Sequence, residues 1–466
     1  MSAPLIWVLF PLGVGMVLLL ARTTRGAARV GAGVAFFLAL LAWKVPIGEP
    51  VRLIGDWGIR LTPTMHILGR QLVLPEPARP LLVWVYLGIG LWLAGAAVAR
   101  MEPTFVGLGL GLAAALVAAL AVRPFLYAAL IIETAALLNV PLLSPPGSTA
   151  GRGLLRFLTF QTLGMLFILL TGWMLVGTET SLPGSDLALR ASVLLGVGLA
   201  LLLGVFPFHS WIPMLTEEIH PYASALVITA VTSMVGVFGL MFLERYTWLR
   251  ESAATYQWLQ VMGAVMVVVG GLLALFQRHA GRVLGYGILF DEGLALFALG
   301  IGGRDGVSLF FALWPARMAA FLLWALALSG LGRRRDGLTY RTLRGVGRAY
   351  PWLAVGAVVA PLTVAGMPWL AGFPTRMALW QNAAALSPSF LVALAVGSLG
   401  LVGAAFRLLG VLTIEAETQT WRSQEQRDER LWMWALMALL VVLGLFPQIW
   451  WAHMTSLFRW FPHLTG

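Results

Sequence analysis

The sequence predicts an all-α polytopic membrane protein of about fourteen transmembrane helices, two of them interrupted. Three observations predict it. Of the 466 residues 59% are hydrophobic and only 11% charged, whereas a soluble domain carries about 25% charged residues. Apolar runs of about 20 residues recur from end to end, enough at 1.5 Å rise to cross about 30 Å of hydrocarbon. Two runs carry prolines and glycines at mid-depth instead of at their ends. The spans must be helical, because a lone strand would leave backbone groups unpaired in lipid. The chain therefore reads as a single membrane domain over 1–466, not as several soluble ones.

The runs lie near 3–21, 27–46, 81–99, 104–122, 124–143, 154–177, 188–206, 222–243, 254–276, 283–302, 306–331, 350–387, 389–413 and 431–452. The first lacks a basic leading segment and a cleavage site, so it reads as a retained helix. The net charge is +11. The arginines fall in short loops between spans, which makes the charge a topology signal and argues against a nucleic-acid partner. Arg22, Arg25 and Arg29, then Arg100, Arg152 and Arg156, Arg278 and Arg282, and Arg333 to Arg348 all fall on one side. Glu179, Asp186, Arg304 and Asp305 fall on the other. The positive-inside rule then puts both termini outside, in a bacterial inner membrane.

Two segments stand apart from the spans. Residues 47–80 read as a polar, proline-containing external loop. Residues 414–430 are strongly polar and read as a solvated connector, an interfacial helix or a contact for a neighbouring subunit. The chain has no cysteine, which excludes disulfides and iron–sulfur or thiolate–zinc sites held by this chain alone. Six histidines without ligand spacing give no metal motif.

The interrupted runs are GVFPFHSWIP (204–213) and APLTVAGMPWLAGFPTR (360–376). Proline removes a helix hydrogen bond and clashes with the preceding turn. Such breaks persist in a bilayer only where protein or water satisfies the freed groups. Two breaks in comparable places of two halves suggest an inverted repeat.

Ionisable groups within spans are expensive, at roughly 2.5–3.5 kcal/mol on insertion scales, so each asks for a reason. They are Glu133, Asp291, Glu292, Arg317, Arg376 and Arg407, with His209 at the first break. One reading is a polar axis carrying protons or ions. The other is a set of structural pairs, such as Asp291 or Glu292 with Arg317. Adjacent carboxylates point about 100° apart on a helix, so only one of Asp291 and Glu292 need face inward. Arg376 stays charged, which makes it structural or a fixed counter-ion. Arg407 can snorkel to the membrane edge. His209 can relay protons or bond the broken backbone.

The stretch from GVFPFHSWIP to FLERY (204–246) resembles the central signature of the antiporter-like membrane subunits of respiratory complex I. That module is shared with multi-subunit cation/proton antiporters and membrane-bound hydrogenases. QRHAGRVLGYGILFDEG, AGMPWLAGFPTRM, LIIETAALL and RFLTFQTLGMLFILLTG resemble further segments of the same family, in order and spacing. The resemblance makes 100–413 an antiporter-like core, flanked by 1–99 with the N-terminal helices and loop and by 414–466 with the polar connector and last helix. It implies other membrane subunits as partners. NADH, quinone and iron–sulfur clusters would sit on those partners, and this chain would bind no cofactor.

The departures carry information. Glu133 matches the family's glutamate. The family's membrane lysines fall on Leu202 and Met234, its histidines on Asp291 and near Pro315 beside Arg317, and its terminal lysine or glutamate on Arg376. Lys44, the only lysine, is in the wrong place to substitute. The resemblance thus implies a subunit that contributes to proton translocation coupled to electron transfer or, with the lysines lost, mainly braces the membrane arm. The alternative is a subunit of a non-redox cation/proton or inorganic-carbon transporter built on the same module. The proton-path or charge-axis candidates are Glu133, His209, Asp291, Glu292, Arg317 and Arg376.

Overall fold

The chain forms a helical bundle, seen in a computed structural model that describes all residues except 55–56, 68, 145–150, 176–185, 415–422 and 466. Glu179 and the middle of the 414–430 connector lie outside the described residues. The elements follow the apolar runs. Helices α1 (Phe10–Leu18), α2 (Thr24–Lys44), α3 (Arg79–Gly95), α4 (Pro103–Ala121), α5 (Ala128–Leu138), the short α6 (Val140–Leu143) and α7 (Arg152–Met174) come first. Then come α8 (Asp186–Leu203), α9 (Trp211–Glu218), α10 (Pro221–Arg245), the short α11 (Thr247–Arg250), α12 (Ala253–Phe276) and α13 (Ala280–Ile301). The last set is α14 (Gly303–Ala312), α15 (Trp314–Arg335), α16 (Pro351–Ala365), α17 (Phe373–Leu386), α18 (Pro388–Thr413), α19 (Arg427–Leu445), α20 (Gln448–Thr455) and α21 (Pro462–Thr465).

Among the described residues ten helical stretches are long and apolar enough to cross a membrane. An eleventh is the pair α19–α20, bent by 77°. Three shorter apolar helices accompany them, at Leu5–Leu18, Phe125–Leu138 and Pro351–Ala365. The chain is an all-α integral membrane protein. Local chemistry sets the helix ends. Proline occupies the first turn of α4, α10, α16 and α18, where its missing N–H costs nothing. Ser252 and Ser387 accept backbone N–H bonds at the starts of α12 and α18. Gln426 and Glu429 form a capping box on α19.

Two expectations are corrected. Residues 47–80 are not a simple loop. They hold strands β1 (Pro50–Ile54), β2 (Trp57–Arg60), β3 (Thr64–Ile67) and β4 (Arg70–Val73), paired as two antiparallel hairpins. β4 also pairs with a two-residue strand β5 (Val122–Arg123) that follows α4. Strands this short carry little alternation for the sequence to show. The last run, expected as one unbroken span at 431–452, is broken: α19 ends at Leu445, because Pro447 cannot continue the helix, and α20 leaves it at 77°.

The loops sort to two ends. At one, Thr24 Oγ1 donates to the Met101 carbonyl at 2.7 Å. There Gly153 N donates to Glu218 at 2.8 Å, and Arg333 and Arg334 both donate to Glu429, at 2.9 and 2.6 Å. At the other end Ala3 N donates to the Thr62 carbonyl at 2.8 Å, the hairpins meet β5, and Glu244 accepts from His463 N and Leu464 N at 3.0 and 3.1 Å. The arginine-rich loops thus share one end and the hairpins the other.

The second half packs most closely. α12 lies between α13 and α18. A Cβ on Gly271 would strike the Gly397 carbonyl oxygen, and Gly397 and Gly400 face the same contact from α18. Only glycines allow two helix backbones to approach so closely.

Candidate functional site

α13, α10 and α15 bring together the charges that the sequence singled out. Asp291 and Glu292 lie mid-way along α13, Arg317 one turn into α15, and Thr232 and Ser233 on α10. Arg317 Nε donates to Asp291 Oδ2 at 2.5 Å, and Nη1 lies 3.0 Å from Glu292 Oε1. Nη1 also donates to Ser233 Oγ at 2.8 Å, while Thr232 Oγ1 donates to Glu292 Oε1 at 2.5 Å. Asp291, Glu292 and Arg317 are 4%, 3% and 4% exposed.

Both carboxylates therefore face inward, where the helix geometry required only one. The planar guanidinium explains it: its donors fan out widely enough to reach two side chains about 100° apart on one helix. Thr232 and Ser233 were missed by sequence reasoning. The available signal was a Thr-Ser pair in an apolar run, a sign weaker than a charge.

Arg376 lies at the start of α17 and is 1% exposed. Its Nη2 donates to the Val364 carbonyl, and its guanidinium sits 5.2 Å from the Phe290 ring centroid. Nε and Nη1 have no hydrogen-bond partner. Val364 is in the last turn of α16, so the guanidinium satisfies a carbonyl freed by the break. Gly366, at φ +87°, ends α16, and a Cβ there would strike the Arg376 side chain.

The same device recurs. Gln161 Nε2 on α7 donates to the Leu202 carbonyl at 3.1 Å, where α8 ends. Thr375 Oγ1 donates to the Ala312 carbonyl at 3.1 Å, at the α14–α15 junction. Each freed carbonyl thus takes a side-chain donor from another helix, as a break in lipid requires.

The first-half candidates stand apart. Glu133 on α5 accepts from Thr162 Oγ1 at 2.6 Å, while its Oε2 is buried without a partner. Leu202 is fully buried and Met234 3% exposed. His209 sits in a short turn between α8 and α9, half-buried and stacked on Phe206 at 5.5 Å. Among the described residues neither Glu133 nor His209 shares a side-chain hydrogen bond or ion pair with the α13–α15 cluster. Arg407 is exposed, donates to the Leu275 carbonyl and lies 5.6 Å from the ring of Tyr340 in an arginine-end loop.

Outside the spans, His220 precedes α10, and its Nδ1 accepts from Tyr222 N at 3.3 Å. Burial, reinforced by the nearby Arg333 charge, pushes its pKa down to about 4.

The model of the NADH:quinone oxidoreductase/Mrp antiporter transmembrane family matches residues 153–402. NADH-quinone oxidoreductase subunit 13 of Thermus thermophilus is 28% identical over 467 residues, covering 94% of each chain. NADH-quinone oxidoreductase subunit N of a Parafrankia species is 31% identical over 210 residues, 44% of this chain and only 39% of that protein. In solved structures, a chain of respiratory complex I from Thermus thermophilus superposes with a TM-score of 0.79 at 22% identity, covering 99% of both chains.

Proposed function

We propose, from the premise that this chain belongs to the NADH:quinone oxidoreductase/Mrp antiporter membrane family, that it is an integral subunit of a complex-I-like membrane arm. In this reading its central ion cluster mainly braces the bundle and does not relay protons through it. Other membrane subunits flank it, and NADH, quinone and iron–sulfur chemistry belongs to partners. The three short apolar helices count as spans, giving fourteen crossings with both termini on the hairpin side. The breaks after α8 and α16 mark the two halves of an inverted repeat. The arginine-rich end faces the cytoplasm, by the positive-inside rule.

The observation that carries the reading is the Arg317 cluster. One guanidinium is held by Asp291, Glu292 and Ser233 together. Arginine does not give up its proton at physiological pH. Leu202 and Met234 hold no proton and lie buried in the first half, so Glu133 has no titratable bridge to the cluster.

The test is proton uptake by vesicles carrying the assembled complex. Glu133→Gln and Asp291→Asn are expected to leave redox-driven uptake within about twofold of the parent whenever the complex assembles. Loss of uptake in an assembled Glu133→Gln complex would reject bracing and restore a conduction role. The second reading is a subunit of a non-redox cation/proton or inorganic-carbon transporter. It is favoured by the family description, which covers both kinds of assembly. Co-purification with iron–sulfur subunits separates the two.

A further inference from the structure

A cavity of about 260 Å³ opens at the arginine end, between the start of α2, the end of α3 and the first turn of α19. Arg25 and Arg29 of α2 and Asp428 of α19 supply its charges, and alanines at the facing ends of α2 and α3 form its floor. A single water needs only about 10–15 Å³, so the cavity holds a larger group.

The length of α2 sets the depth of this cavity in the bilayer. Arg25 lies in its first turn and the exposed Trp43 in its last. They are separated by about 27 Å of helix rise, close to the hydrocarbon thickness of about 30 Å. Tryptophan favours a membrane interface. With Trp43 at one interface, Arg25 stands at the other, at headgroup level. Arg29, one turn deeper on the same face, stands at the edge of the hydrocarbon.

The protein satisfies these charges poorly by itself. Arg25 Nη2 lies 3.7 Å from Asp428 Oδ2, with the two side chains 76% and 62% exposed, a surface pair of the weak kind. Among the described residues Arg29 has no side-chain hydrogen bond or ion pair. An arginine at that depth is costly until an anion meets it. Lipid phosphate is the anion that this level of a bilayer supplies. A bare anion would also face the Asp428 carboxylate. A head that carries an N–H donor beyond its phosphate satisfies all three side chains at once. Below Arg29 the open space continues. Gly33, Phe37 and Leu40 follow it at helical spacing on the exposed side of α2, and a Cβ on Gly33 would meet nothing within 4 Å.

We propose that this corner binds one phospholipid of the arginine-end leaflet, its phosphate bridging Arg25 and Arg29, its head-group N–H donating to Asp428, and an acyl chain lying along Gly33, Phe37 and Leu40. Phosphatidylethanolamine has both polar parts. Phosphatidylcholine has the phosphate and the same net charge but no N–H, so the comparison of the two isolates the donor. The site stands on the cavity and its charges, independently of whether the subunit braces the bundle or conducts.

The test uses the assembled complex in sugar-detergent micelles. A trace of phosphatidylethanolamine bearing a diazirine on one acyl chain is added and illuminated, and labelled peptides of this subunit are read by mass spectrometry. Label is expected on the segment from Gly33 to Leu40. Unlabelled phosphatidylethanolamine should displace it at a mole fraction about fivefold lower than phosphatidylcholine, as one charge-assisted hydrogen bond at an exposed site supplies. Asp428→Ala should keep the label and bring the two competitors to within about twofold of each other. Arg29→Gln should cut the label about fivefold. Gly33→Trp, which fills the space below, should cut it without touching a charge. Arg22→Gln alters an exposed arginine outside the cavity and should leave the label unchanged. Water-soluble glycerophosphoethanolamine should not compete; if it displaces the label as well as the lipid does, the corner takes a free phosphodiester and the lipid assignment falls. Absence of label from that segment, equal competition by the two lipids in the parent, or equal losses in Arg22→Gln and Arg29→Gln would overturn the proposal.

Discussion

Replacing Arg317 by methionine tests the cluster most directly. Methionine keeps much of the side-chain length and apolar stem but removes the charge. Asp291 and Glu292, 4% and 3% exposed, would then face one another with only Thr232 donating to the pair. Removing one partner of a buried ion group costs about 3–5 kcal/mol, because the remaining charge has neither water nor counter-ion. At about 1.4 kcal/mol per decade, the unfolding equilibrium should shift by about two to three and a half decades. The triple variant Arg317→Met, Asp291→Asn, Glu292→Gln removes all three charges, and its new amide can still accept from Thr232. It should recover to within about 1.5 kcal/mol of the parent, since uncharged replacement of a buried ion group is often near neutral. Pulse proteolysis of this subunit in the purified complex, across a denaturant series, reads both values. The reasoning is refuted if the single variant costs less than about 1 kcal/mol, or if the triple variant is as unstable as the single one.

Three further outcomes are expected. Gly271→Ala drives a methyl into the backbone oxygen of Gly397, and should cost about 1–3 kcal/mol or more. Gly88→Ala meets only the mobile tip of Met318, and should cost clearly less; equal losses in a thermal-shift assay would show that the rigidity of the struck group does not matter. His220, whose folded pKa is depressed to about 4, binds a proton more readily when unfolded. Stability is therefore full above pH of about 6.5 and falls as pH drops from there towards about 4. His220→Asn keeps an acceptor for Tyr222 N but does not titrate, so the slope of unfolding midpoint against pH should flatten across that window. An unchanged slope assigns the acid sensitivity to other groups.

How much of this was legible depended on what each residue must do alone. The spans were legible because a bilayer demands about 20 apolar residues in a row whatever the neighbours. The breaks after Leu203 and Ala365 were legible because proline and Gly366 act locally. The hairpins at 50–73 were not, since β4 is completed by β5, which lies beyond α3 and α4 in the chain. The pairing of Arg317 with α13 is one of two readings that the residues allow. That both carboxylates share it depends on the angle between α13 and α15, which no residue carries by itself. Gln161 and Thr375 were invisible for the same reason. Each is an ordinary polar residue until a broken helix from elsewhere in the chain presents its carbonyl.

The choice of arginine decides what such a cluster can do. Asp291, Glu292 and Arg317 sum to −1 when all are charged, and the buried Arg376, against the Phe290 ring next along α13, carries the charge that balances them. A lysine in the same surroundings could hand over its proton when desolvated and so switch the sum. Arginine cannot, so the one way to change the charge is to protonate a carboxylate. That step has to compete with the ion pair at 2.5 Å and with the Thr232 hydrogen bond. The bonds that stabilise the cluster are therefore the ones that oppose its titration. If a titratable switch were engineered by Arg317→Lys, the ammonium would reach one carboxylate as a point charge and release the other. The complex should lose less stability than with methionine, because one carboxylate keeps its counter-charge. A lysine variant as stable as the parent would mean that the fork geometry of arginine is incidental here.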